Sequence, residues 1–275
     1  MANPLILHEN ILANASATLT VTVAEAAGFP VANINDWRMG TAYRWKNSTN
    51  ALVYIDLDAG AGNTLAADTV FVGGHNFNTM GNSFRVYADE DTDVSPPTTA
   101  LSSSMVPTDD LPFGETFTST DARYWRLRIS TASGAQQAGI ITLGRRIDYE
   151  AGALPDLDPY QRSSNVEPFI NNNGSPIGVN VRSKTKTFNM NYGGGDPGMT
   201  KTGFFAPAAG ISFDDSFLPH AVDSAKPFWF AWNIAVDASE VYLCRIDGPS
   251  VSMPFVGTTA RRGLQCRFIA HRETS

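Results

Sequence analysis

The clearest pattern of apolar and polar positions lies between Leu52 and Asn76. There Val53-Tyr54-Ile55-Asp56-Leu57 and Thr69-Val70-Phe71-Val72 flank a spacer rich in Ala, Gly, Asn and Asp. Two short β-branched and aromatic runs around such a spacer predict two strands and a loop. The second run ends in Gly73-Gly74-His75-Asn76. Glycines let the backbone turn sharply while polar side chains face outward, which suits a loop at the end of a β-sandwich and makes His75 and Asn76 candidate contact residues.

The same period continues on both sides. Leu5-Ile6-Leu7 and the alternating Thr18–Val23 read as strands, and Pro30 breaks the pattern across Phe29–Asp36. Phe84–Ala88 alternates. Tyr124–Ile129 has two faces, with Trp125, Leu127 and Ile129 on one and Tyr124, Arg126 and Arg128 on the other; Gly139–Gly144 reads as a buried closing strand. Between them, the stretch from Asp89 to Ser119 is rich in Asp, Ser, Thr and Pro and reads as a long surface excursion. Residues 1–150 therefore predict a jelly-roll β-sandwich with almost no helical period.

Pro155, Pro159 and Pro168 among acidic residues mark 151–168 as a connector. Beyond it, 169–275 predicts a smaller, mainly β domain. Its strands are Lys184–Tyr192, Lys226–Trp232, Val241–Ile246 and Leu264–Ala270, with short helical turns at Thr202–Ala209 and Phe213–Leu218. The fold class is mainly β throughout.

The ordered series Ala32-Asn33-Ile34-x-Asp36, a Trp/Arg pair, Tyr54–Leu57, Val70-x-Val72 leading to His75-Asn76, Phe84–Tyr87, Tyr124–Ile129 and Ile140-x-x-Leu143-Gly144 resembles galactose-binding-like, discoidin-type jelly rolls. It looks most like the version in structural proteins of tailed-phage tails, and it covers about residues 10–148. Lys226–Phe230, Tyr242–Ile246 and Arg267-Phe268 through Arg272-Glu273 are similar, more loosely, to the C-terminal part of phage tail-associated proteins. The resemblance implies a virion protein of the tail tip or baseplate, like a distal tail protein. Such a protein assembles in the host cytoplasm into an oligomeric ring and joins the tail tube to host-recognition proteins. The alternative it implies is a carbohydrate-binding module that attaches the virion to host-surface glycan. Secreted discoidin-type domains carry a Cys pair tying their first and last strands. None stands here, which favours the virion version.

Composition narrows the partners. With 43% apolar and 17% charged residues, the 275-residue chain can bury sizeable cores. Its net charge of −7 is uneven: residues 1–150 hold 9 Lys+Arg against 16 Asp+Glu, and the remainder holds 11 of each. That balance argues against nucleic acid, whose backbone needs a basic face; only Arg182, Lys184 and Lys186 make a local basic stripe. MANPLILHEN lacks the basic and apolar regions of an export signal, and no apolar run approaches the roughly 18 residues of a membrane span. Cys244 and Cys266 sit inside strand-like runs and read as buried free thiols.

Catalytic patterns are missing. Gly193-x-x-x-x-Gly198-Met199-Thr200 has Met where a phosphate loop needs Lys, and reads as a glycine-rich hairpin loop. His8, His75, His220 and His271 lie far apart with no metal spacing, and neither cysteine has a neighbouring His. The pairs Asp109-Asp110 and Asp214-Asp215 read as loop and cap residues. Asp89-Glu90-Asp91-x-Asp93 has calcium-like oxygen ligands but lacks the glycine and terminal Glu of an EF-hand loop. No enzyme, cofactor or metal site is predicted. The recognition surface predicted is Trp37, Arg38, Tyr43, Arg44 and Trp45, with His75 and Asn76, because rings stack on sugars and guanidiniums pair with acids. The competing assignment places Trp45 and Trp125 in the core.

Overall fold

The computed structural model describes residues 4–89, 95–131, 133–148, 161–173, 175–192, 213–234, 238, 240–248, 251, 255–256, 261–262 and 264–271. The chain divides into two compact units. One comprises Ala2–Ile147 with Ala231–Val241, and the other Asp148–Phe230 with Tyr242–Thr274. Both are mainly β.

The N-terminal unit contains β1 (Leu5–Leu7), β2 (Thr18–Val21), β3 (Trp45–Lys46), β4 (Val53–Asp58), β5 (Leu65–Gly73), β6 (Phe84–Ala88), β7 (Phe113–Ala122), β8 (Tyr124–Ile129), β9 (Gln137–Ala138), β10 (Ile140–Gly144) and β11 (Ile147–Asp148). A four-stranded sheet runs β2-β4-β8-β6 and a three-stranded sheet runs β10-β5-β7; β3 and β9 form a small ribbon. The strand-loop-strand unit of Leu52–Asn76 thus crosses from one sheet to the other. β4 alternates buried and half-buried residues, whereas β5 is buried without a break from Ala67 to Gly73. The middle strand of its sheet has no face left for water, and its apolar run reflects that.

The two sheets share one core. Val53, Ile55 and Leu57 meet Val70 and Val72, with Trp125, Leu127, Ile129, Phe84 and Phe113 filling the space between. Trp125 Nε1–H donates to the carbonyls of Leu65 and Ala122, both at 3.1 Å, so the largest buried ring also fixes how the sheets sit on each other. On the half-exposed face of the four-stranded sheet, Arg126 forms a fork with Asp56 at 2.6 and 2.7 Å and lies 4.2 Å over the Tyr54 ring. Asp58 and Arg123 make a second fork at 2.8 and 3.2 Å.

One expected excursion is partly a strand. Phe113–Ala122 lies inside and just beyond the Asp89–Ser119 stretch, yet it pairs along β5 as the outer strand β7. Pro112 precedes it, and a proline at the mouth of a strand is tolerated because it interrupts no ladder bond. The break in the strand pattern predicted across Phe29–Asp36 is present as a short helical turn, Val31–Asn35.

The C-terminal unit contains β12 (Gln161–Ile170), β13 (Pro176–Tyr192), β14 (Phe228–Ala231), β15 (Val241–Ile246), β16 (Phe255–Val256), β17 (Arg261–Arg262) and β18 (Leu264–His271). Its main sheet runs β14-β15-β18-β13-β12. The connector expected over 151–168 is corrected from Gln161 onward, where β12 pairs with β13. Pro168 sits opposite Val179 on an outer strand, where a missing N–H costs no ladder bond. The expected turn at Phe213–Leu218 is present as helical turns Phe213–Phe217 and Pro219–Asp223. An aromatic chain builds this core: Phe213, Phe217, Phe228, Phe268, Phe230 and Phe188 follow one another with centroids 4.8–5.6 Å apart. Cys244 and Cys266 are free, and burial pushes both thiols up. Lys186 of the basic stripe donates to the Tyr242 hydroxyl at 2.8 Å. The readings at Thr202–Ala209 and Gly193–Thr200 lie outside the described residues.

Gly114 of β7 stands opposite Phe71 of β5, with the Phe71 ring over it. A Cβ there would meet Phe71 Cε1 at 2.7 Å and press on the Val70 carbonyl oxygen. Gly114→Ala should cost about 1–3 kcal/mol through overpacking. A denaturant midpoint equal to that of the parent would show that the β5–β7 contact is looser than this.

Candidate functional site

The predicted recognition residues lie around one end of the sandwich, where β5 ends and β7 and β10 begin. Three segments meet there through bonds that leave little freedom. Asn76 donates from Nδ2 to the Ala135 carbonyl at 3.0 Å and accepts from Gln137 N–H at 2.9 Å. Thr79 donates its N–H to Asp110 at 3.1 Å, and the Thr79 hydroxyl donates to the same carboxylate. Ser133 N–H and hydroxyl both reach the Met80 carbonyl.

The segment 36–43 packs onto this cluster backbone to backbone. A Cβ on Gly74 would lie 2.9 Å from the Met39 carbonyl oxygen, and one on Gly139 would lie 3.0 Å from Met39 Cα and 3.2 Å from Arg38 O. Gly74 also holds φ +66°, so both its conformation and its neighbours call for glycine.

The structure sorts the seven predicted residues into two groups. Trp45 is fully buried in the shared core, paired through β3 to Ala138, so it leaves the recognition set. Arg44 leaves it too. Its guanidinium is buried and donates from Nε to the Met39 carbonyl at 3.0 Å, holding the loop to its own base. Asn76 is committed to the bonds above. His75 is buried against Phe77 and Phe113, donates from Nε2 to the Leu111 carbonyl at 2.7 Å, and accepts Phe77 N–H at Nδ1 at 3.2 Å. These four position the loops instead of meeting a ligand.

Trp37, Arg38 and Tyr43 remain at the surface. Arg38 lies with its guanidinium 4.2 Å from the Tyr43 ring centroid, and Tyr43 is 46% exposed. Asp36 clamps Arg38 twice, accepting its backbone N–H at 3.0 Å and its Nε at 2.9 Å. Trp37 is half-buried and has φ +60°, a left-handed backbone that an L side chain adopts at a cost of about 1 kcal/mol. Asp36 was absent from the predicted surface. Its signal is local: an Asp two residues before an Arg makes an Asx turn that fixes the Arg backbone.

Among the described residues no cluster of His, Cys, Asp and Glu is arranged to hold a metal. Asp89, first of the calcium-like series, spends its carboxylate on Thr98 and Thr99 N–H at 2.7 and 3.0 Å; residues 90–94 lie outside the described residues. Asp109 accepts Leu111 N–H at 2.9 Å, as a loop carboxylate does. No helix among the described residues is long and apolar enough to cross a membrane.

No family profile and no curated protein sequence matches the chain. Similar solved structures include chitosan-binding module 1 of a chitosanase/glucanase from Paenibacillus sp. IK-5, at 19% identity over 50% of this chain and 98% of that one, with a TM-score of 0.39. Another is CpGH89CBM32-5 of Clostridium perfringens in complex with GalNAc-β-1,3-galactose, at 14% identity over 47% and 95%, with a TM-score of 0.38. A Ruminococcus gnavus GH29 fucosidase in complex with fucose is 16% identical over 51% of this chain and 27% of that one, with a TM-score of 0.40. The sandwich assignment stands on strand order and register, not on these likenesses.

Burial pulls the His75 imidazole from its ordinary value of 6.5 down to about 4, against the pull of the Leu111 carbonyl and of Asp110. The unfolded chain therefore binds the extra proton first. The contribution of His75 to stability is complete above about pH 6.5, falls as pH drops toward 4, and is flat below. At about 1.4 kcal/mol per tenfold in proton affinity, the loss is of order 3 kcal/mol. His75→Gln should flatten the pH–stability profile across that window relative to the parent; parallel profiles in urea titrations would remove His75 as the cause.

Proposed function

We propose that the N-terminal unit is a glycan-binding module whose contact surface is the 36–43 loop. The observation that carries this is the exposed Arg38–Tyr43 stack clamped by Asp36. A ring offers its face to the apolar side of a pyranose, and a carboxylate beside a guanidinium offers an acceptor and a donor to neighbouring hydroxyls.

Glycan-array screening followed by calorimetry tests the proposal. Tyr43→Ala and Arg38→Ala should each weaken binding about tenfold or more, near 1.4 kcal/mol, with unchanged melting. Silence across a broad array of neutral and acidic glycans, or full binding by Tyr43→Ala, would count decisively against it.

A second reading draws on the other unit. There the chain is a structural component of a phage tail tip or baseplate, assembled as a homo-oligomeric ring in the virion. Its support is the end of the β12–β13 hairpin, where Phe169, Ile170 and Ile177 are 50%, 59% and 69% exposed beside an outer strand. Apolar side chains beside an unpaired strand edge are what an assembly contact covers. The two readings are compatible in one protein. Sedimentation velocity should show oligomers that Ile170→Lys with Ile177→Lys dissolves; a parent protein that stays monomeric at tens of micromolar sinks the ring.

A further inference from the structure

The N-terminal unit also holds a cleft of about 650 Å³ between β7 and the segment 103–109, with Ile234 and Ala238 beside them. That volume falls in the range of sites for small molecules and short peptides. Phe113, Met105 and Pro107 give it an apolar lining, and Val106 beside them is 69% exposed. Asp109 and Glu115 also line it, and no Lys, Arg or His stands among the described lining residues.

Both walls are strand edges. β7 is the outer strand of its sheet, and the segment opposite bridges to β6, the outer strand of the other sheet, at Tyr87–Ala100 and Phe84–Met105. The Glu115 carboxylate spans the walls, accepting Ser103 N–H at 3.1 Å and the Ser103 hydroxyl at 3.0 Å. The β7 edge already receives one bond from outside its sheet, since Gly114 N–H donates to the Ala238 carbonyl at 3.3 Å. Antiparallel alternation then turns the N–H and C=O of Thr116 outward as well, and among the described residues no further strand stands beside them in the sheet order.

We infer that this cleft takes an extended peptide of a partner protein, laid as an added strand along β7 with a Lys or Arg side chain directed at Asp109 and Glu115. Strand addition supplies backbone pairing, and the pockets beside the edge read alternate side chains. The apolar lining suits one set of those side chains and the two carboxylates suit a cation in the other. A sugar would find no Trp or Tyr face among the described lining residues.

The probe is a fluorescein-labelled octapeptide of alternating valine and lysine, with a valine–glutamate octapeptide and chitohexaose as competitors. Anisotropy should rise saturably with the lysine peptide, and amide exchange over residues 115–119 should slow on binding. Thr116→Pro, which deletes the outward N–H, and Asp109→Asn, which keeps the acceptor for Leu111 but removes the charge, should each weaken binding at least tenfold. Tyr43→Ala should bind the peptide as the parent does, which separates this cleft from the glycan surface. Absent binding, equal binding by both variants, or displacement by the glutamate peptide or by chitohexaose would each overturn the assignment.

Discussion

The N-terminal unit depends on the burial of β5. Its residues from Ala67 to Gly73 have no solvent face, so β7, β10 and the opposing sheet must all be in place before any of that apolar surface is removed from water. Val70 and Val72 enter the shared core while Phe71 covers Gly114. Trp125 then locks the arrangement from the other sheet, since its N–H is satisfied only where the Leu65 and Ala122 carbonyls lie. Leaving such a donor buried and unpaired would cost about 1–3 kcal/mol, so the bond selects one packing of the sheets among several that would bury the ring equally.

The loop cluster hangs on the end of that strand. Gly73, Gly74, His75 and Asn76 follow one another without a break, and each makes a different attachment. Gly73 O accepts Gly139 N–H at 3.0 Å, Gly74 gives Met39 room to approach, His75 reaches Leu111, and Asn76 reaches Ala135 and Gln137. The strand end therefore seats the backbone at Arg38 and Met39, and Asp36 then sets the Arg38 side chain from within the loop. The left-handed Trp37 fits the same logic, because strain at one residue persists only where the surroundings over-determine it.

Much of this architecture was legible in the sequence. Phe84–Ala88 and Tyr124–Ile129 alternate so regularly that their strands and buried faces follow from period two alone. β7 was hidden because Pro112, the charged Glu115 between Phe113 and Phe117, and the Thr/Ser-rich run Thr116–Thr120 look like loop composition. β12 was hidden for a similar reason, by Pro168, which an outer strand tolerates. The site was half legible. Residue type pointed to the 37–45 segment, but type cannot tell a ring that stacks on a ligand from one that fills a core. Trp45 lies inside because β3 pairs with β9 over the sandwich interior, a contact between positions about ninety residues apart that no local pattern encodes.

Charge separates the two surfaces proposed for this unit. At the 36–43 loop Asp36 already neutralises Arg38, so what faces outward is a ring, a paired donor and acceptor, and little net field. Such a surface selects by shape and hydrogen bonding, which suits a hydroxylated, uncharged ligand and responds weakly to salt. In the cleft along β7, two carboxylates stand with no base among the described lining residues, within the half of the chain that holds all of its excess acid. Attraction there acts at range and is screened by salt, so it speeds the encounter with a cationic chain more than it tightens the final complex.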